Sequence, residues 1–67
     1  MEIKDWLARS TTELKNSEID SARLDCLLLL QNVLSKNREW LISHDEKGLT
    51  EKQLKELSKK LERRKNR

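Results

Sequence analysis

Side chains able to do covalent or acid–base chemistry are scarce in this chain of 67 residues. Cys26 lies in a leucine-rich run with no base nearby, which predicts a buried, inert thiol rather than a nucleophile. His44 follows a short helical segment, where an imidazole can satisfy the last helix carbonyls. These are the only cysteine and the only histidine, so neither a disulfide nor a paired metal-ligand spacing is available. The acidic residues fall on charged helix faces, where solvation accounts for them. Gly48 is the single glycine, and one glycine cannot build a phosphate-cradling loop. The expectation is a chain with no catalytic, cofactor-binding or metal-binding residue of its own.

What remains is the chemistry of recognition. Trp6 and Trp40 are the only aromatic residues. A stacking platform for nucleic acid needs exposed rings among cations. Both tryptophans instead share the apolar phase of their segments, which predicts core or edge-of-core packing. Charge is unevenly placed. Residues 1–58 carry 9 basic and 11 acidic side chains, a balance of −2. Residues 59–67 carry 6 basic and 1 acidic, a balance of +5. This basic end reads as a solvated helix end or linker, as charge steering toward an acidic partner, or, least favoured, as a nucleic-acid arm.

The elements that position these residues read as helices throughout. Proline, phenylalanine and tyrosine are absent and β-branched residues are few, which disfavours strands. Ile3, Trp6, Leu7, Ser10 and Leu14 recur at helical steps over about 3–15. Ile19 is expected to plug the chain back into the core. A second helix is expected from a Ser21 or Asp20 cap to about Leu34. Leu24, Leu27, Leu28 and Leu34 mark one side of it; Cys26, Leu29, Leu30 and Val33 mark another. Apolar residues on both sides predict a helix surrounded by others. Asn37 is placed to cap a short helix, Arg38 to about Ser43, that turns Trp40 and Leu41 inward. Gly48 is the residue able to take positive φ cheaply in the following loop. Thr50 and Gln53 form a capping box, with Leu49 and Leu54 at the staple positions. Glu51–Lys55 and Glu56–Lys60 stand at favourable i,i+4 spacing. The fold expected is all-α, a compact bundle of four to five short helices around a central buried helix, about Ser21–Leu34. No stretch approaches the roughly 20 apolar residues of a membrane span, and the first residues lack the order of a secretion signal, so a cytoplasmic location is expected.

One longer pattern overlies these elements. Ser21, a small residue, Arg23 and Asp25 precede the block Leu27–Leu30. Then follow Val33-Leu34, Arg38, Trp40-Leu41, His44, Leu49-Thr50 and Arg63-Arg64. In order and spacing it resembles the N-terminal helical domain of the HemK/PrmC family, bacterial methyltransferases that modify a glutamine of peptide chain release factors. Ala22 stands where that family often has proline, and Cys26-Leu27 replace a common Ala-Glu pair.

The resemblance implies that residues 1–67 are one substrate-recruitment domain. The complete protein would use S-adenosylmethionine to methylate the side-chain amide of a glutamine in a Gly-Gly-Gln loop. The family's Asn-Pro-Pro-Tyr motif and glycine-rich cofactor loop belong to a C-terminal catalytic domain and are absent from this chain. The chain alone is therefore expected not to be an enzyme. The implied partners are the release factor and that catalytic domain, with Arg23, Asp25, Arg63 and Arg64 as candidate contacts. From the residues alone, the favoured reading of Arg23 and Asp25 is that they tie the first turn of their helix to neighbouring loops. Two other readings stay open: a freestanding helical interaction module, and a helix-turn-helix DNA binder using the basic last helix.

Overall fold

The computed structural model describes residues 1–66, and its N-terminal segment winds into α1, Ile3–Asn16. Ile3, Trp6, Ser10 and Leu14 form its buried face, at the steps that the sequence predicts. The side chain of Glu2 does not cap this helix. Its first orphan amides are capped by distant backbone instead: Ile3 N donates to Lys47 O at 3.0 Å and Lys4 N to Asp45 O at 2.8 Å. Leu49 N donates to Met1 O, and Glu2 forms an isolated antiparallel bridge with Gly48. The chain start and the loop at 44–49 are thereby stitched together.

The other end of α1 closes as a Schellman motif. Ile19 N donates to Leu14 O and Glu18 N to Lys15 O, with Glu18 in the left-handed region at φ 62°. Ile19 and Leu14, the apolar pair of this motif, are both buried. Glutamate bears a steric cost at that φ that glycine escapes. Glu18→Gly is accordingly expected to stabilise the chain by about 0.5–1 kcal/mol in urea denaturation. An unchanged midpoint would show that this turn carries no strain.

Helix α2 spans Ala22–Leu34 and packs against each of the other three helices. Ala22, Cys26, Leu27, Leu29 and Leu30 are buried on it. It is the hub that the leucine run predicts, yet it is not enclosed on every side. Leu24 is 51% exposed and Leu28 44%, one turn apart on an open face. Three neighbours cannot surround a helix, and composition does not count neighbours. The Ser21 hydroxyl also fails to cap α2. With Ser21 at φ −91° and ψ 29° rather than extended, its hydroxyl donates to the Asp25 carboxylate at 3.2 Å. The helix ends at Ser35, left-handed at φ 56°.

Helix α3, Arg38–Ser43, starts as expected on Asn37, whose Oδ1 accepts the Trp40 amide at 2.8 Å. Leu41 is buried, but Trp40 is only half-buried. Helix α4, Glu51–Asn66, begins in a complete capping box: Thr50 Oγ1 accepts the Gln53 amide at 3.1 Å, and Gln53 Oε1 accepts the Thr50 amide at 2.9 Å. Leu57 and Leu61 bury its stripe, with Leu54 packed at the edge. Gly48 takes no positive φ, because its stretch runs extended in the bridge to Glu2; Glu18 and Ser35 take that conformation instead.

Neither Glu51–Lys55 nor Glu56–Lys60 closes into an ion pair among the described residues. Exposed pairs gain so little that side-chain entropy readily keeps them apart. Lys65 does pair, with Glu62 of its own helix and with Glu13 of α1 at 3.6 Å. Arg67, the last cation of the basic end, lies outside the described residues.

Candidate functional site

The reactive residue types sit where their chemistry is quenched. Cys26 is fully buried. Burial pushes its thiol above the ordinary value; Thr11 pulls partly against this, and the charges of Asp25 and Glu13 add to the rise. The thiolate needed for nucleophilic attack is thus disfavoured. His44 Nδ1 donates to Trp40 O at 2.8 Å, and the His44 amide donates to the same carbonyl. The imidazole finishes α3, as its position predicts. It also stacks on Trp40, with ring centroids 4.2 Å apart and planes 12° from parallel. Lys36 and Lys47 bring their ammonium groups within 5.1 and 5.4 Å of the Trp40 ring centroid. Trp40 therefore has more cations around it than its apolar phase suggested, but its stacking face is occupied by His44. Trp6 is buried at the seam of α1 and α4.

No group of three or more metal-ligating side chains gathers among the described residues, and no helix there is long and apolar enough to cross a membrane.

The four candidate contact residues separate into three settings. Arg23 is exposed beside a depression between α1, α2 and α3, lined by Leu7, Ala8, Leu27 and Ile42. Asp25, two residues on, is only 7% exposed and accepts the Ser21 hydroxyl. Its carboxylate holds the first turn of α2 instead of facing outward. Arg63 and Arg64 come together in a different place. With Lys60 they form one wall of an open groove whose other wall is Leu28, Leu29 and Asn32 of α2. Sequence reasoning picks out the arginines by charge, but misses Leu28 as their neighbour. The available signal was a leucine every turn on α2 with only three other helices to cover it.

Fold and surface together define a small helical module with one groove that sets leucines of α2 beside cations of α4. The chain belongs to the PrmC N-terminal domain family, whose model matches residues 5–67. It is 42% identical over 66 residues to the release factor glutamine methyltransferase of Buchnera aphidicola subsp. Baizongia pistaciae, covering 98% of this chain and 24% of that protein. A second relative of the same name, from Buchnera aphidicola subsp. Acyrthosiphon pisum, is 41% identical over 64 residues, 96% of this chain and 22% of its own length. The Haemophilus influenzae protein of that name is 32% identical over 65 residues, again 96% of this chain and 22% of its own length. The chain thus spans about a quarter of the length of the curated relatives it matches. No solved structure matches it.

Proposed function

We propose that residues 1–67 are the substrate-recruiting domain of a release factor glutamine methyltransferase. In this reading the domain holds a peptide chain release factor in the cytoplasm. The Gly-Gly-Gln loop of that factor then reaches an active site in a separate catalytic domain. The observation that carries the reading is the match of nearly the whole chain to about a quarter of relatives bearing that name. The described residues do not fit S-adenosylmethionine: Gly48, the one glycine, is engaged in the bridge to Glu2, and no glycine-rich turn exists to cradle the cofactor. The cofactor belongs with the catalytic domain, and no step of transfer is assigned to this chain. Its contribution is positional, since binding energy made far from the reacting amide holds that amide in place. Arg23, Arg63 and Arg64 are its outward contacts, to the release factor or the catalytic domain. Asp25 supports them by fixing the start of α2.

The test is to compare the complete methyltransferase with a version lacking this domain, using the cognate release factor. Loss of binding that serves substrate and transition state alike raises KM more than it lowers kcat. We expect KM for the release factor to rise at least about tenfold, while a short Gly-Gly-Gln peptide is methylated as before. Unchanged affinity and methylation would sink the reading, leaving a freestanding interaction module as the better account.

A further inference from the structure

We infer that the groove between α2 and α4 is the docking site for an amphipathic, acidic segment of the partner protein. The inference rests on the recruitment reading, which makes that partner the release factor. Leu28 and Leu29 supply an apolar floor, continued one turn earlier by exposed Leu24. Lys60, Arg63 and Arg64 supply a cationic wall, and no carboxylate among the described residues lines the groove. None of these three cations takes part in an ion pair among the described residues. Glu56 lines a neighbouring depression with Lys59, Lys60 and Arg63, but it closes no ion pair with them. Lys65, which does pair, turns to the α1 side of α4.

An exposed apolar stripe beside cations that close no ion pair among the described residues is half of a complementary pair. The missing half has aliphatic side chains to cover Leu24 and Leu28 and carboxylates to meet Lys60, Arg63 and Arg64. A helix with an apolar face and an acidic edge has that composition, and a groove between two helices is the usual seat for one. Bidentate carboxylate pairing suits the two arginines in particular. Nucleic acid fits less well. It would bring phosphate to the cations but nothing to the leucines, and the ring able to stack bases, Trp40, lies outside this groove and is covered by His44.

The experiment measures binding of this chain to the purified release factor by isothermal titration calorimetry, with three variants beside the natural sequence. Leu28→Asp strikes the floor. Arg63→Glu with Arg64→Glu strikes the wall at two exposed positions, so it remains informative should Leu28→Asp fail to fold. Lys52→Glu with Lys55→Glu makes the same charge change at exposed positions nearer the start of α4. The expected result is a loss of at least about tenfold in affinity for both groove variants and less than about twofold for the Lys52/Lys55 pair. Groove variants that bind like the natural chain overturn the inference while leaving recruitment intact. Equal loss in all charge variants also overturns it, in favour of general charge steering. Displacement of the release factor by duplex RNA at physiological salt, abolished by the Arg63/Arg64 change, overturns the protein occupant. Absence of any binding by the natural chain overturns the recruitment reading itself.

Discussion

Replacing Leu30 with alanine is expected to leave much of the chain unfolded at physiological temperature. Leu30 is fully buried on α2, the helix against which α1, α3 and α4 all pack. Truncating such a leucine removes its transfer free energy and leaves a cavity, at a combined cost of about 2–5 kcal/mol. A single core in a domain of this size supplies roughly 3–5 kcal/mol in all. No disulfide supplements it, since the one cysteine is Cys26. The loss therefore approaches the whole of the stability. Urea titration followed by circular dichroism measures it. Leu24→Ala is the internal control, because it is the same chemical change on the same helix at a position 51% exposed. It is expected to move stability by no more than about 0.5 kcal/mol. Equal costs at the two positions would mean that α2 is enclosed on all sides after all.

That contrast also locates what was legible in the sequence. The features read correctly are those governed by short, fixed separations along the chain. Asn37 lies three residues before the Trp40 amide that it caps, and Thr50 three before Gln53. The His44 ring reaches back one turn to Trp40 O. In each case a donor or acceptor left over at a helix end meets a side chain whose distance is set by helix geometry alone. Leu24 and Leu28 follow a different rule. Leucine on every side of α2 states what the helix can bury, and the number of partners states what it does bury. With α1, α3 and α4 in place, one face remains open.

The same distinction runs through the candidate site. Arg63 and Arg64 stand out as charge, because cations crowd into the last nine positions. That they share a groove with Leu28 and Leu29 depends on how α2 and α4 sit together, which no local pattern encodes. Asp25 is the reverse case. It reads either as a tie at the first turn of α2 or as a partner contact, and its carboxylate accepts the Ser21 hydroxyl four residues back, a separation fixed by the local chain. The cap of α1 was invisible for a related reason: its acceptors, Lys47 O and Asp45 O, are more than forty residues away and are backbone atoms.

Replacing Trp6 with alanine is expected to cost about 3–5 kcal/mol, the range for a buried aromatic removed to its Cβ. Trp6 is 5% exposed and stands where α1 faces α4, in company with Leu54 and Leu61. That seam has little else to hold it. The packing of α1 on α4 is slighter than that of α2 on either of them, and the Lys65–Glu13 ion pair across it joins partly exposed groups of small energetic weight. The expected consequence is that α4 is held by α2 alone and the cationic wall that it carries loosens, so stability and release-factor binding should fall together. The variant retains Trp40 as its single tryptophan, an internal reporter on α3 packed against the core cluster. If Trp40 emission shifts to the red in step with the loss of helical signal, the chain unfolds as one unit. If helical signal falls while Trp40 emission is unmoved, α4 detaches alone and α1, α2 and α3 stand without it. Trp6→Phe, which keeps a ring in the seam, is expected to recover more than half of the loss, whereas a merely local role for the indole N–H would leave Trp6→Phe as damaged as Trp6→Ala.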